Sequence, residues 1–302
     1  MSAPSRIRTL ATIGLLAMTA VWGSTFVLIK GVVDRWPVAD FLAVRFAIAA
    51  LAMFLVFYRH VVRLGRQKWW RGVVLGVLYG VGQLLQTWGL ARISPSVSGF
   101  VTGMYVVFTP ILATLVFRQR MPVIVWAAVA LATLGLALLS LNGFSVDTGV
   151  WLTLMAALLY GLHIVLLGQW SRAEDAFGLS AVQMAVIAIV CLLATAGHGG
   201  PTLAPDRGAW IAVLYMALVA GAGAMLMQTW AQAHLPATRA AIVMTTEPVF
   251  AAFFAVLLGS DMLTWRMVAG GGLVLAAMYL VELMPRHRAE GELPAEAVHH
   301  EV

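Results

Sequence analysis

Apolar residues in this 302-residue chain gather into long runs separated by short polar or helix-breaking connections. Ten such runs are legible, at roughly 10–30, 38–58, 71–91, 97–117, 123–142, 149–169, 179–196, 209–232, 239–258 and 264–283. Each is close to the ~20 residues that a helix rising ~1.5 Å per residue needs to cross a bilayer. The pattern predicts an all-α integral membrane protein with ten transmembrane helices. Arg6 and Arg8 precede the run from Leu10 to Val21 as they would in a secretory signal, but the run continues through Ile29. That is too long for a signal core, so a retained helix is expected.

The runs also repeat. Gln86-Thr87-Trp88 returns as Gln228-Thr229-Trp230, and Trp22-Gly23 as Tyr160-Gly161. Likewise Ala43-Val44-Arg45 returns as Ala181-Val182-Gln183. Residues 10–142 and 149–284 are therefore expected to be two five-helix repeats, flanked by an N-terminal segment (1–9) and a charged, disordered C-terminal tail (285–302). Five is odd, so the second copy must enter the membrane from the opposite side. Inverted repeats of membrane helices are an architecture of secondary transporters, with the solute site where the halves meet.

Composition supports lipid as the main solvent: 62% of residues are hydrophobic, 11% are charged and the mean hydropathy is +0.92. No room remains for a separate water-soluble domain. The net charge of +6 would also suit a nucleic-acid binder, but its placement argues otherwise. With the N-terminus inside, thirteen Lys and Arg fall on the inner side and five on the outer. This positive-inside bias predicts cytoplasmic termini and no nucleic-acid partner. The excess of arginine over lysine, seventeen to two, suggests a bacterial source and hence the cytoplasmic (inner) membrane. Solitary Cys191 lies inside an apolar run, so neither a disulfide framework nor a thiolate metal site is expected.

Polar groups within the runs are the candidates for function, because each is costly in lipid. Glu247, deep in the ninth run, must face a wet cavity, pair with a cation or take up a proton. Arg45 is its natural partner candidate, although the ordinary role for Arg45 and for Lys30 is structural: snorkelling or holding helix ends. His163 is either a proton carrier or a hydrogen-bonded spacer. Gln83 with Gln86, and Gln228 with Gln232, have helical spacing that suits either helix–helix bonds or a polar solute. Trp22, Ser24, Thr25, Tyr105 and Tyr160 would supply an amphipathic lining for organic solutes. Pro110 and Pro248 each free a carbonyl one turn back, near Val106 and Met244, and are expected to break helices that line a cavity. Small-residue faces on the fifth span (Ala127 to Gly135) and the tenth (Gly270 to Ala277) suit close packing or a homodimer. No catalytic residue, cofactor or metal is expected. An intramembrane hydrolase would need a serine or paired aspartates near a base, and no Gly-x-Ser-x-Gly occurs. A sensor without flux and a passive facilitator are the other readings.

Several of these segments resemble the EamA-type branch of the drug/metabolite transporter superfamily. Ala20-Val-Trp-Gly-Ser-Thr-Phe-Val-Leu-Ile-Lys30, Pro37 and Leu42-Ala-Val-Arg-Phe46 are similar to its opening signature. Gly99 to Val107 with Pro110, and Thr245-Thr-Glu-Pro-Val-Phe-Ala-Ala252, are similar to fourth- and ninth-helix motifs. The family often carries Gly-Glu after the ninth helix, where this chain reads Gly259-Ser260-Asp261. The resemblance implies two inverted five-helix repeats around a cavity lined by helices 1, 3, 4, 6, 8 and 9. It also implies movement, usually export, of small metabolites such as amino acids, or of drugs.

Overall fold

The computed structural model describes residues 3–117, 123–142, 145–235, 240 and 243–282. The expected C-terminal tail lies outside the described residues, as does half of the connection between the eighth and ninth runs (236–238).

The apolar runs fold as helices, because in lipid only internal hydrogen bonding satisfies the backbone. In order they are α1 (Ala3–Val33), α2 (Val38–Arg63), α3 (Arg66–Leu90), α4 (Pro95–Gly103 continued as Tyr105–Phe117), α5 (Val123–Ser140), α6 (Thr148–Trp170), α7 (Ala176–Leu193), α8 (Arg207–His234), α9 (Glu247–Leu257) and α10 (Trp265–Glu282). The other regular elements described are short 3₁₀ turns, a π-helical segment within α8 and a two-residue ladder, β1 (Leu141–Asn142) with β2 (Ser145–Val146). Seven of the helices are long and apolar enough to cross a membrane, and three shorter apolar helices accompany them.

Packing follows a two-fold scheme between the halves. α2 packs on α7, α5 on α10 and α4 on α9, each helix with its own repeat counterpart. The α3–α6 contact has its counterpart in α8–α1, and α4–α6 in α9–α1. The repeats are also inverted. α1 ends where Lys30 reaches the carbonyls of Leu90 and Ala91, and α6 starts at that same end, with Gly149 backed against Gly89.

Glycine permits these close approaches. Gly72, Gly76 and Gly80, one turn apart on α3, lie against Val182, Val186 and Val190 on α7. The small faces of α5 and α10, suited by sequence to close packing or a homodimer, pack on one another within the chain. A methyl on Gly135 would strike the Gly270 carbonyl, and one on Gly271 the Phe100 ring, whereas Gly272 faces open space. Large apolar side chains such as Leu55, Val62, Leu193 and Ile211 cover the outside of the bundle, where lipid is their natural solvent.

Candidate functional site

Two interrupted helices frame the middle of the bundle. Pro248 has no N–H, so the Met244 carbonyl has no helical donor, and the chain turns at Thr245–Thr246 before α9 begins at Glu247. The Tyr105 hydroxyl stands in for that donor, 3.2 Å from the Met244 oxygen and 2.9 Å from Glu247 Oε2. Tyr105 and Glu247 are 142 residues apart, the repeat register, so equivalent positions of the two halves meet.

The break in α4 falls at Met104, one residue before Tyr105, rather than at the expected Val106. Two tight turns replace helical bonding there: the Met104 amide donates to Val101 and the Val107 amide to Met104. Pro110 itself sits within a continuous helix and does not line the cavity. Pro248 also stays off the cavity surface, seated against Gly103 of α4.

Between these breaks lies a cavity of about 50 Å³, narrow in this conformation. Trp22, Thr25, Gln83, Gln86, Tyr105, Tyr160, His163, Gln228 and Glu247 all line it, as expected from their residue types. Tyr79, Thr87 and Thr102 join them without having been singled out by sequence. Tyr79 was legible in principle: residues 79, 83, 86 and 90 recur at helical spacing on one face of α3.

One wall is already knitted together. Gln83 Nε2 donates to the Tyr160 hydroxyl at 2.6 Å, and that hydroxyl donates to Gln86 Oε1 at 2.9 Å. Gln86 Nε2 donates onward to Thr102 at 3.0 Å. Tyr79 packs against the rings of Tyr160 and His163. The Trp22 indole donates to the Ala220 carbonyl inside the π-helical segment Leu218–Gly223 of α8. Such a segment shifts the backbone bonding register and leaves carbonyls to be claimed by side chains.

Other candidates sit elsewhere. Ser24 turns away, donating to the Val21 carbonyl and meeting the Tyr215 hydroxyl. Gln232 is outside the cavity lining. Lys30 caps the end of α3, a structural use of its charge. Asp261, in place of the family's glutamate, accepts the Ser96 amide at the start of α4. Arg45 does not meet Glu247; its Nε donates to the Met216 carbonyl at 3.2 Å, and it lines the cavity as the one contribution from α2.

Comparison with known proteins bears on the family and the fold. The model of the EamA-like transporter family matches twice, over residues 9–141 and 147–283. An uncharacterized transporter of Archaeoglobus fulgidus is 30% identical over 280 residues, covering 91% of this chain and 87% of that protein. One solved crystal structure, at 18% identity, shares the fold with a TM-score of 0.64 over 91% of this chain and 97% of its own. Matched in both halves by the same family model, this membrane protein belongs to the EamA-like transporter family.

Proposed function

We propose that the protein is a secondary transporter that carries small organic metabolites, such as amino acids or related solutes, or drugs, through the central cavity by alternating access. The two repeats would rock about the Tyr105–Glu247 contact, where equivalent positions of the halves meet. Export across a bacterial cytoplasmic membrane is the direction and place we assign, with both termini in the cytoplasm as the positive-inside bias favours.

The observation that carries this reading is Glu247. It is 6% exposed, lines the cavity, and among the described residues bonds only to the Tyr105 hydroxyl. A carboxylate so placed requires a cation or a proton to offset its lost hydration. A solute ammonium or an exchangeable proton supplies that charge during transport. The amide and phenol wall then orients the rest of the solute.

The test is a solute screen in reconstituted proteoliposomes, with and without an imposed pH gradient, repeated with Glu247→Gln. Flux should be lost or uncoupled from the gradient in the variant while membrane insertion is kept. Wild-type flux from Glu247→Gln across the pH range overturns the role of Glu247. Equal wild-type flux with and without a pH gradient excludes proton coupling, and flux that only equilibrates the solute with no ion gradient of any kind identifies passive facilitation.

A further inference from the structure

Arg45 is the second ionic group of the cavity, and among the described residues it has no ionic partner. The residue is 4% exposed, and a guanidinium keeps its charge in any protein setting. The ion pairs between described residues are Arg35 with Asp206 and Lys68 with Asp175, both away from the cavity. Glu247, the partner expected from sequence, is occupied by Tyr105. Arg45 Nε secures the Met216 carbonyl, but Nη1 is buried with no hydrogen-bond partner. Leaving a charged donor orphaned in a low-dielectric interior is among the costliest arrangements available to a protein.

The repeat makes the omission specific. In the second half, the positions equivalent to Thr25 and Arg45 are His163 and Gln183, and these bond to one another at 2.8 Å. Gln183 is thereby satisfied and stays off the cavity lining. In the first half the Thr25 hydroxyl turns to the Trp22 carbonyl, and Arg45 is left facing the cavity. The guanidinium also lies 4.9 Å from the centre of the Phe46 ring, but neither that contact nor the Nε bond to Met216 supplies an acceptor for Nη1.

We propose that Arg45 is an anion-binding residue of the translocation cavity and that the transported solute presents a carboxylate to it. This rests on the cavity being the transport site. A carboxylate matches the guanidinium fork and supplies the missing acceptor, and each bond it accepts is charge-assisted. With Glu247 as the opposite pole, the cavity recognises a solute carrying both signs of charge.

The experiment measures thermal stabilisation of the purified full-length protein by leucine, phenylalanine and glutamine against their carboxamides, in a background free of carboxylates and chloride, with chloride added separately. For at least one pair, the acid should bind the wild type about 10- to 100-fold more tightly than its amide. Arg45→Gln should erase that preference, and Arg45→Lys should keep part of it. The proposal is overturned if no acid stabilises the wild type, if amides match acids, or if Arg45→Gln keeps the preference. It is equally overturned if chloride alone gives the full effect. Should Arg45→Gln fail to fold, Arg45→Lys carries the test: its acid binding should weaken while its amide binding holds, and unchanged acid binding overturns the proposal. Proteoliposome uptake of the same compounds separates the two readings. Amides carried as fast as acids remove the anion site but leave transport intact; acid-selective binding without uptake removes transport but leaves the anion site.

Discussion

Replacing Gly76 with alanine tests the packing on which the two halves depend. A Cβ placed there lies 2.6 Å from Val186 Cβ and 2.8 Å from the Gln183 carbonyl oxygen. Unstrained carbon contacts fall near 3.5–4.0 Å, so α3 and α7 must part by about 1 Å. The obstruction is backbone and a branched Cβ, and neither can swing aside. Overpacking of this kind costs about 1–3 kcal/mol, while alanine returns up to ~1 kcal/mol of helix propensity. With the full offset the net expectation is a loss of up to about 2 kcal/mol. Gly80, whose nearest neighbour would be 3.1 Å away, should come out close to neutral when made alanine. Gly272 has nothing within 4 Å, so Gly272→Ala should be neutral or stabilising. Equilibrium unfolding of the three variants in one mixed micelle system measures the order directly. If Gly76→Ala proves as stable as Gly272→Ala, the close α3–α7 approach is not what holds these helices together.

Further predictions concern polar groups. Tyr105→Phe removes the hydroxyl shared by Glu247 and the Met244 carbonyl, and should cost about 1–3 kcal/mol in the same unfolding assay. A change indistinguishable from zero would mean that the break in the chain before α9 finds another donor. Lys68→Ala removes a partly exposed ion pair with Asp175 and should shift stability by less than about 1 kcal/mol. A larger loss would assign that pair a role in holding α3 against the start of α7.

Much of the cavity was legible in single residues. Glu247, His163 and the glutamines stood out because a polar side chain inside an apolar run has few inexpensive places to go. Pro248 located its freed carbonyl correctly, since losing one N–H has a fixed consequence four residues upstream. Pro110 was less informative. The helix relaxed at Met104 instead, because adjacent turns can share an adjustment that the proline does not itself dictate. Ser24 was misleading for a related reason: a hydroxyl can satisfy itself on its own helix and leave no mark on the cavity. Tyr79 passed unnoticed because an aromatic in an apolar run has an ordinary packing role until its neighbours on the helix face are weighed with it.

Sequence alone determined the number of helices, their repetition and their inversion, because bilayer thickness and backbone hydrogen bonding leave an apolar run one cheap conformation. Which buried polar groups pair with each other was decided by the tertiary structure. His163 and Gln183 are twenty residues apart along the chain, and Tyr105 and Glu247 are 142 apart. Their bonds exist only once the halves interlock. Among the described residues the same folding left Arg45 without an ionic partner, which its place in the sequence did not foretell: partnership depends on where a neighbour's last atom lies, a quantity set by helix packing.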